Sequence, residues 1–66
     1  MKEFKEYDLI EASIDLDENV PKGSMGTILI VYDSKPKNYE VEFVDAEDNS
    51  LGVLTVSPTD IKFPQE

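Results

Sequence analysis

Fifteen of the 66 residues are Asp or Glu and none is His or Cys, so any chemistry this chain performs must come from carboxylates, hydroxyls and lysines. Asp15-Leu16-Asp17-Glu18-Asn19 repeats the D-x-D-x-N opening of a calcium loop, where alternate side-chain oxygens converge on a hard cation. The match stops there. Val20 stands where the loop needs Gly for its sharp turn, and Gly26 where it needs a bidentate Glu. No metal or other cofactor is expected. Asp45, Glu47 and Asp48, with Asn49, form a second acidic group of turn-forming types. Paired carboxylates can serve as acid and base, but only in a cleft that fixes their separation and raises one pKa by burial. A nucleophile needs an adjacent base, usually His. Neither arrangement is available, so the expectation is a protein that is not an enzyme.

Formal net charge is −9, and all six basic residues are Lys. Nucleic-acid affinity comes mainly from Lys and Arg neutralising phosphates, and Arg is the usual reader of base edges. Neither DNA nor RNA is therefore an expected partner. The charge favours another protein with a basic surface, attracted through the long-range field. Asp15, Asp17 and Glu18 on one loop and Asp45, Glu47 and Asp48 on another turn are the candidate contacts. The competing reading is that both groups serve solubility.

These residues must be positioned by strands, because two-residue periodicity dominates and no window sustains a helical pattern. Tyr7–Ala12 reads as a first strand. Ser13–Gly23, rich in Asp, Asn, Pro and Gly, reads as a long loop whose Ile14, Leu16 and Val20 can pin it to the body. Gly26–Tyr32 is β-branched or aromatic at nearly every position, which predicts burial on both faces or a face covered by the long loop. Tyr39–Val44 alternates, with Tyr39, Val41 and Phe43 inward and Glu40 and Glu42 in water. Leu51–Val56 follows the second acidic turn, its Gly52 marking a bend or bulge. Ser57–Asp60 predicts one 3-10 turn and Ile61–Phe63 a last short strand. The whole predicts an all-β fold, a small SH3-like barrel of about five antiparallel strands, in one domain spanning residues 1–66. Residues 1–6 and 65–66 read as frayed ends. No signal peptide or membrane span is read, which makes a soluble, cytoplasmic protein the expectation, a monomer by preference.

Pro21-Lys22-Gly23-Ser24-Met25-Gly26-Thr27-Ile28 has a K-G-x-x-G-T-I form and is followed by Val31-Tyr32-Asp33, Tyr39-Glu40-Val41-Glu42-Phe43 and Leu54-Thr55-Val56 ahead of Pro58. From about Tyr7 to Phe63 this resembles a family of small bacterial domains of unknown function with SH3-like barrels. Gly23 and Gly26 read as structural, and Tyr7, Tyr32 and Tyr39 as buried or half-buried strand residues. The resemblance suggests a stand-alone interaction module, such as the neutralising half of a bacterial toxin and antitoxin or effector and immunity pair. The alternative is an accessory barrel subunit of a larger enzyme, using Ile28, Ile30 and Leu51 as an apolar interface.

Overall fold

The structure, a computed structural model, describes residues 3–64, so the ends read as frayed at residues 1, 2, 65 and 66 lie outside the described residues. Five strands form one antiparallel sheet: β1 Leu9–Ala12, β2 Met25–Tyr32, β3 Asn38–Val44, β4 Ser50–Val56 and β5 Ile61–Lys62. A 3-10 turn, Pro58–Asp60, precedes β5. The backbone N–H of Ser57 donates to the Asp60 carboxylate at 3.0 Å, which fixes that turn. The strand order is β4-β3-β2-β1-β5, and the sheet curls into a half-barrel with the last strand beside the first, as the sequence predicts. The half-barrel is open on one side. β4 and β5, the latter only two residues long, are the two ends of the sheet and share no ladder.

Cross-strand partners share a face, so register sorts the side chains. The concave face carries Ile10, Gly26, Phe43 and Gly52 in one row, Ile28, Val41 and Leu54 in a second, and Val31, Tyr39 and Val56 in a third. These rows supply most of the core, completed by Ala12, Ile61 and Val20. Phe43 lies between two glycines. At Gly26 an added Cβ would sit 2.7 Å from Val41 Cγ1 and 2.9 Å from Phe43 Cδ1, so the close approach comes from β3 and not from the loop. Gly52 has φ +127°, and β4 gains an extra residue beside it, Leu51, between the pairs Phe43 with Gly52 and Val44 with Ser50.

β2 departs from the double burial its composition predicts. Ile28 pairs with Val41 but Ile30 with Glu40, so Leu29 is an extra residue that shifts the alternation by one. Ile28 and Val31 therefore both point inward, while Ile30 and Tyr32 face out and are 45% and 42% exposed. Ile28, expected on an exposed apolar side, is instead fully buried.

The tyrosines divide in a similar way. Tyr39 is in the core, but Tyr7 is 73% exposed at φ +71°, a left-handed turn residue and not a half-buried strand residue. Glu40 and Glu42 are only half-exposed, and Glu40 accepts a 2.7 Å hydrogen bond from the Thr55 hydroxyl, which partly corrects their placement in open water. At the start of the described chain, Phe4 packs edge-on against Tyr39 and at 4.7 Å, ring centre to ring centre, from Phe63. Glu3 pairs with Lys37 at 3.0 Å.

Candidate functional site

The long loop is not loose. Leu16 N–H donates to Val20 carbonyl oxygen and Val20 N–H to Asp17 carbonyl oxygen, which folds the segment into a miniature hairpin. Asp17 Oδ1 accepts from Asn19 N–H at 2.7 Å, an Asx turn, and Asp15 Oδ1 accepts from Lys22 N–H, also at 2.7 Å. Val20 is fully buried and Leu16 packs on the core, while Ile14, the third expected anchor, is half-exposed. Burying a valine side chain is worth about 1.5–3 kcal/mol, so the loop is held by its apolar residues as well as its hydrogen bonds. It returns to the sheet through Gly23, at φ +91°, where Gly23 N–H donates to Ala12 carbonyl oxygen at 2.9 Å.

The β3–β4 turn is held differently. Asp45 Oδ1 accepts from the backbone N–H of Glu47 at 2.8 Å and of Asn49 at 2.9 Å, and Oδ2 from the Asn49 side-chain amide at 3.3 Å. The Asn49 and Glu47 backbone N–H groups hold the Asp45 carboxyl below its ordinary range, outweighing the opposing effect of desolvation, and the Asn49 side chain adds a lesser pull in the same direction. Asp48 occupies the left-handed region at φ +64°, which Asp tolerates better than most residues.

Between these two segments lies a groove of about 550 Å³. The end of the long loop forms one wall, through Asn19, Pro21, Lys22, Gly23 and Ser24, and Asp45 and Ala46 form the other. Its floor is Met25, Val44 and Leu51, brought together because Met25 pairs with Val44 across β2 and β3 and Leu51 is the extra residue of β4. The exposed lining is mostly apolar. Of the six candidate contact residues only Asp45 lines the groove. Asp15, Asp17 and Glu18 are exposed on the loop behind one wall, and Glu47 and Asp48 on the turn beyond the other. Among the described residues, the carboxylates of Glu18, Glu47 and Asp48 have no hydrogen-bond or ion-pair partner, whereas those of Asp15, Asp17 and Asp45 are engaged by their own backbone. No group of three or more acidic side chains converges as a metal site among the described residues.

Over residues 6–63 the chain matches a protein family described as Domain of unknown function (DUF4926). It belongs to that family. The match takes in every strand, the long loop and the acidic turn, so the groove of this DUF4926 domain lies wholly within the matched stretch. No curated protein and no solved structure matches the chain.

Sequence reasoning missed the floor of the groove in Met25 and Val44. A signal for it exists in the alternation: if Phe43 faces inward, Val44 faces out, an apolar side chain on a solvent face at the end of a strand. Leu51 was expected at an interface, and it lines this groove.

Proposed function

We propose that this domain is a non-enzymatic protein-interaction module whose groove receives a basic segment of a partner protein, tipped by an apolar side chain. The observation that carries the reading is the placement of an apolar groove between two acidic segments. An apolar floor offers desolvation energy and the flanking carboxylates offer steering, the division of labour found at protein interfaces. Glu18, Glu47 and Asp48 suit the steering role because their carboxylates are not committed to the fold. The net charge of −9 supports the same partner chemistry and disfavours polyphosphates. An antitoxin or immunity protein acting on a basic toxin in the bacterial cytoplasm is the biological setting that fits such a module.

A second reading, the accessory subunit of a larger enzyme, draws support from Leu9, Ile30 and Val53, which expose roughly half their surfaces on the convex face of the sheet. The two readings separate in one experiment. The full chain and its Ala46→Lys variant, an exposed groove residue and so a small risk to folding, are used as bait at low and high salt. A basic protein held at low salt, released by high salt and lost with Ala46→Lys supports the groove. Salt-insensitive capture that survives Ala46→Lys refutes it in favour of an apolar interface on the convex face.

A further inference from the structure

We infer that the free edge of β4 takes up the partner as an added strand, a mode of recognition that rests on the protein-binding reading above. The two sheet edges are unlike each other. β5 is two residues long, carries Lys62 and is followed within two residues by Pro64, the kind of edge that blocks further pairing. β4, Ser-Leu-Gly-Val-Leu-Thr-Val, is seven residues long with no charge and no proline. The extra residue at Leu51 kinks only its beginning, leaving Val53–Val56 in regular register with β3. Val53 and Thr55 are exposed on it. Among the described residues no strand pairs with its outer side.

Register defines what an added strand must carry. Val53 continues the convex row Leu9, Thr27 and Glu42, and Thr55 continues the row Ile30 and Glu40. Residues added opposite Val53 and Thr55 would lie two strand spacings, about 10 Å, from the backbone of Glu42 and Glu40, within reach of Lys or Arg across the intervening side chain. The residue between them would fall on the other face beside half-buried Leu54, where an apolar side chain fits. The occupant is thus an extended segment of a partner protein that alternates basic and apolar residues. A second copy of this chain does not fit, since β4 has no basic residue and each copy carries −9. The edge is also continuous with the groove, because Leu51 belongs to both. A chain paired along β4 is therefore delivered at one end to the groove floor.

The test uses the full chain with a synthetic probe, the end-capped heptapeptide Lys-Val-Lys-Val-Lys-Val-Lys, and the same peptide N-methylated at every residue, which keeps its charge but has no backbone N–H to donate. Backbone amide resonances and their hydrogen exchange are followed on titration. Strand addition predicts slowed exchange across Ser50–Val56 and binding at least about tenfold tighter than for the methylated peptide, since main-chain hydrogen bonds supply the affinity in this mode. Val53→Lys, at an exposed edge position where the amide spectrum of the free chain should stay in place, should weaken the plain peptide. Equal binding of both peptides, or no response from Val53–Val56, overturns the inference. Perturbation confined to Met25, Val44 and Leu51 overturns strand addition while leaving the groove reading intact. Perturbation of Val53–Val56 with Met25 and Val44 silent supports strand addition and counts against the groove.

Discussion

The two acidic segments flanking the groove have similar composition and opposite mechanics. The β1–β2 loop is anchored from below by Val20 and Leu16, with Asp15 and Asp17 tidying its backbone. The β3–β4 turn has no buried side chain between Asp45 and Ser50 and is organised by one carboxylate, Asp45, with three donors. The difference shows that acidic residues in one chain divide by what their oxygens already hold. Some are tied to the fold by hydrogen bonds, and the rest carry charge that the fold does not use.

Substitution at Gly26 should produce the largest effect and break both segments together, because each is attached to the β2–β3 seam at which Gly26 faces Phe43. Gly26→Val would press a side chain into Val41, Phe43 and the Glu42 carbonyl oxygen, all at 3.0 Å or less from the new Cβ. A loss of about 2–4 kcal/mol is expected from overpacking, read as a fall in the denaturant midpoint. An unchanged midpoint would mean that the seam can open without cost. Val20→Ala should come next, at about 2 kcal/mol for a truncated core side chain. It should free the long loop alone. Faster amide exchange in residues 13–23 with the turn at Asp45–Asn49 unaffected would confirm that the two segments are held independently.

How much of this was legible depends on whether a polar residue marked the phase. In Tyr39-Glu40-Val41-Glu42-Phe43 the glutamates fix which side chains face inward, and the structure agrees. Ile28 to Tyr32 has no such marker, so the bulge at Leu29 was invisible and Ile28 and Ile30 were assigned to one face. Gly52 announced its bulge because only glycine is comfortable at φ +127°. The acidic loop and turn were readable from composition. The groove was not, because its floor joins Met25, Val44 and Leu51 through strand register, which no local pattern states.

A smaller effect is expected from Asp45→Ala, which removes the acceptor for three donors. The turn should exchange faster while the long loop keeps its protection, with a loss of stability below that of Val20→Ala. The same residue carries a pH signature. Its carboxyl titrates below the ordinary value of 3.8 in the folded chain, because the ionised form accepts the Asn49 and Glu47 N–H groups. A depressed folded pKa contributes stability that is fully present above the unfolded value and lost as pH falls through the folded one. Stability should therefore decline in acid below about pH 4, and Asp45→Asn should make that decline shallower. An acid limb unchanged by Asp45→Asn would show that the turn does not depend on the charge.

The smallest effect on stability, and the sharpest on function, belongs to Glu18 and Glu47. Both are exposed, one on each segment, and neither carboxylate is engaged by the fold. Asp48 is left out because its positive φ would make Lys there a backbone perturbation as well as a charge reversal. Glu18→Lys with Glu47→Lys should leave the melting midpoint within a few tenths of a kcal/mol, as exposed charges do. With the lysine–valine heptapeptide as probe, the pair should slow association, and the difference from the unaltered chain should shrink as salt is raised, since steering acts through the screened long-range field. Glu42→Gln should act mainly on dissociation, because Glu42 lies one strand in from the proposed added strand and meets its basic side chains at short range only once the chain is bound. If the loop reversals change the off-rate and Glu42→Gln the on-rate, the assignment of steering to the loops and holding to the sheet is inverted. If neither substitution moves either rate, the acidic residues of both segments serve solubility alone.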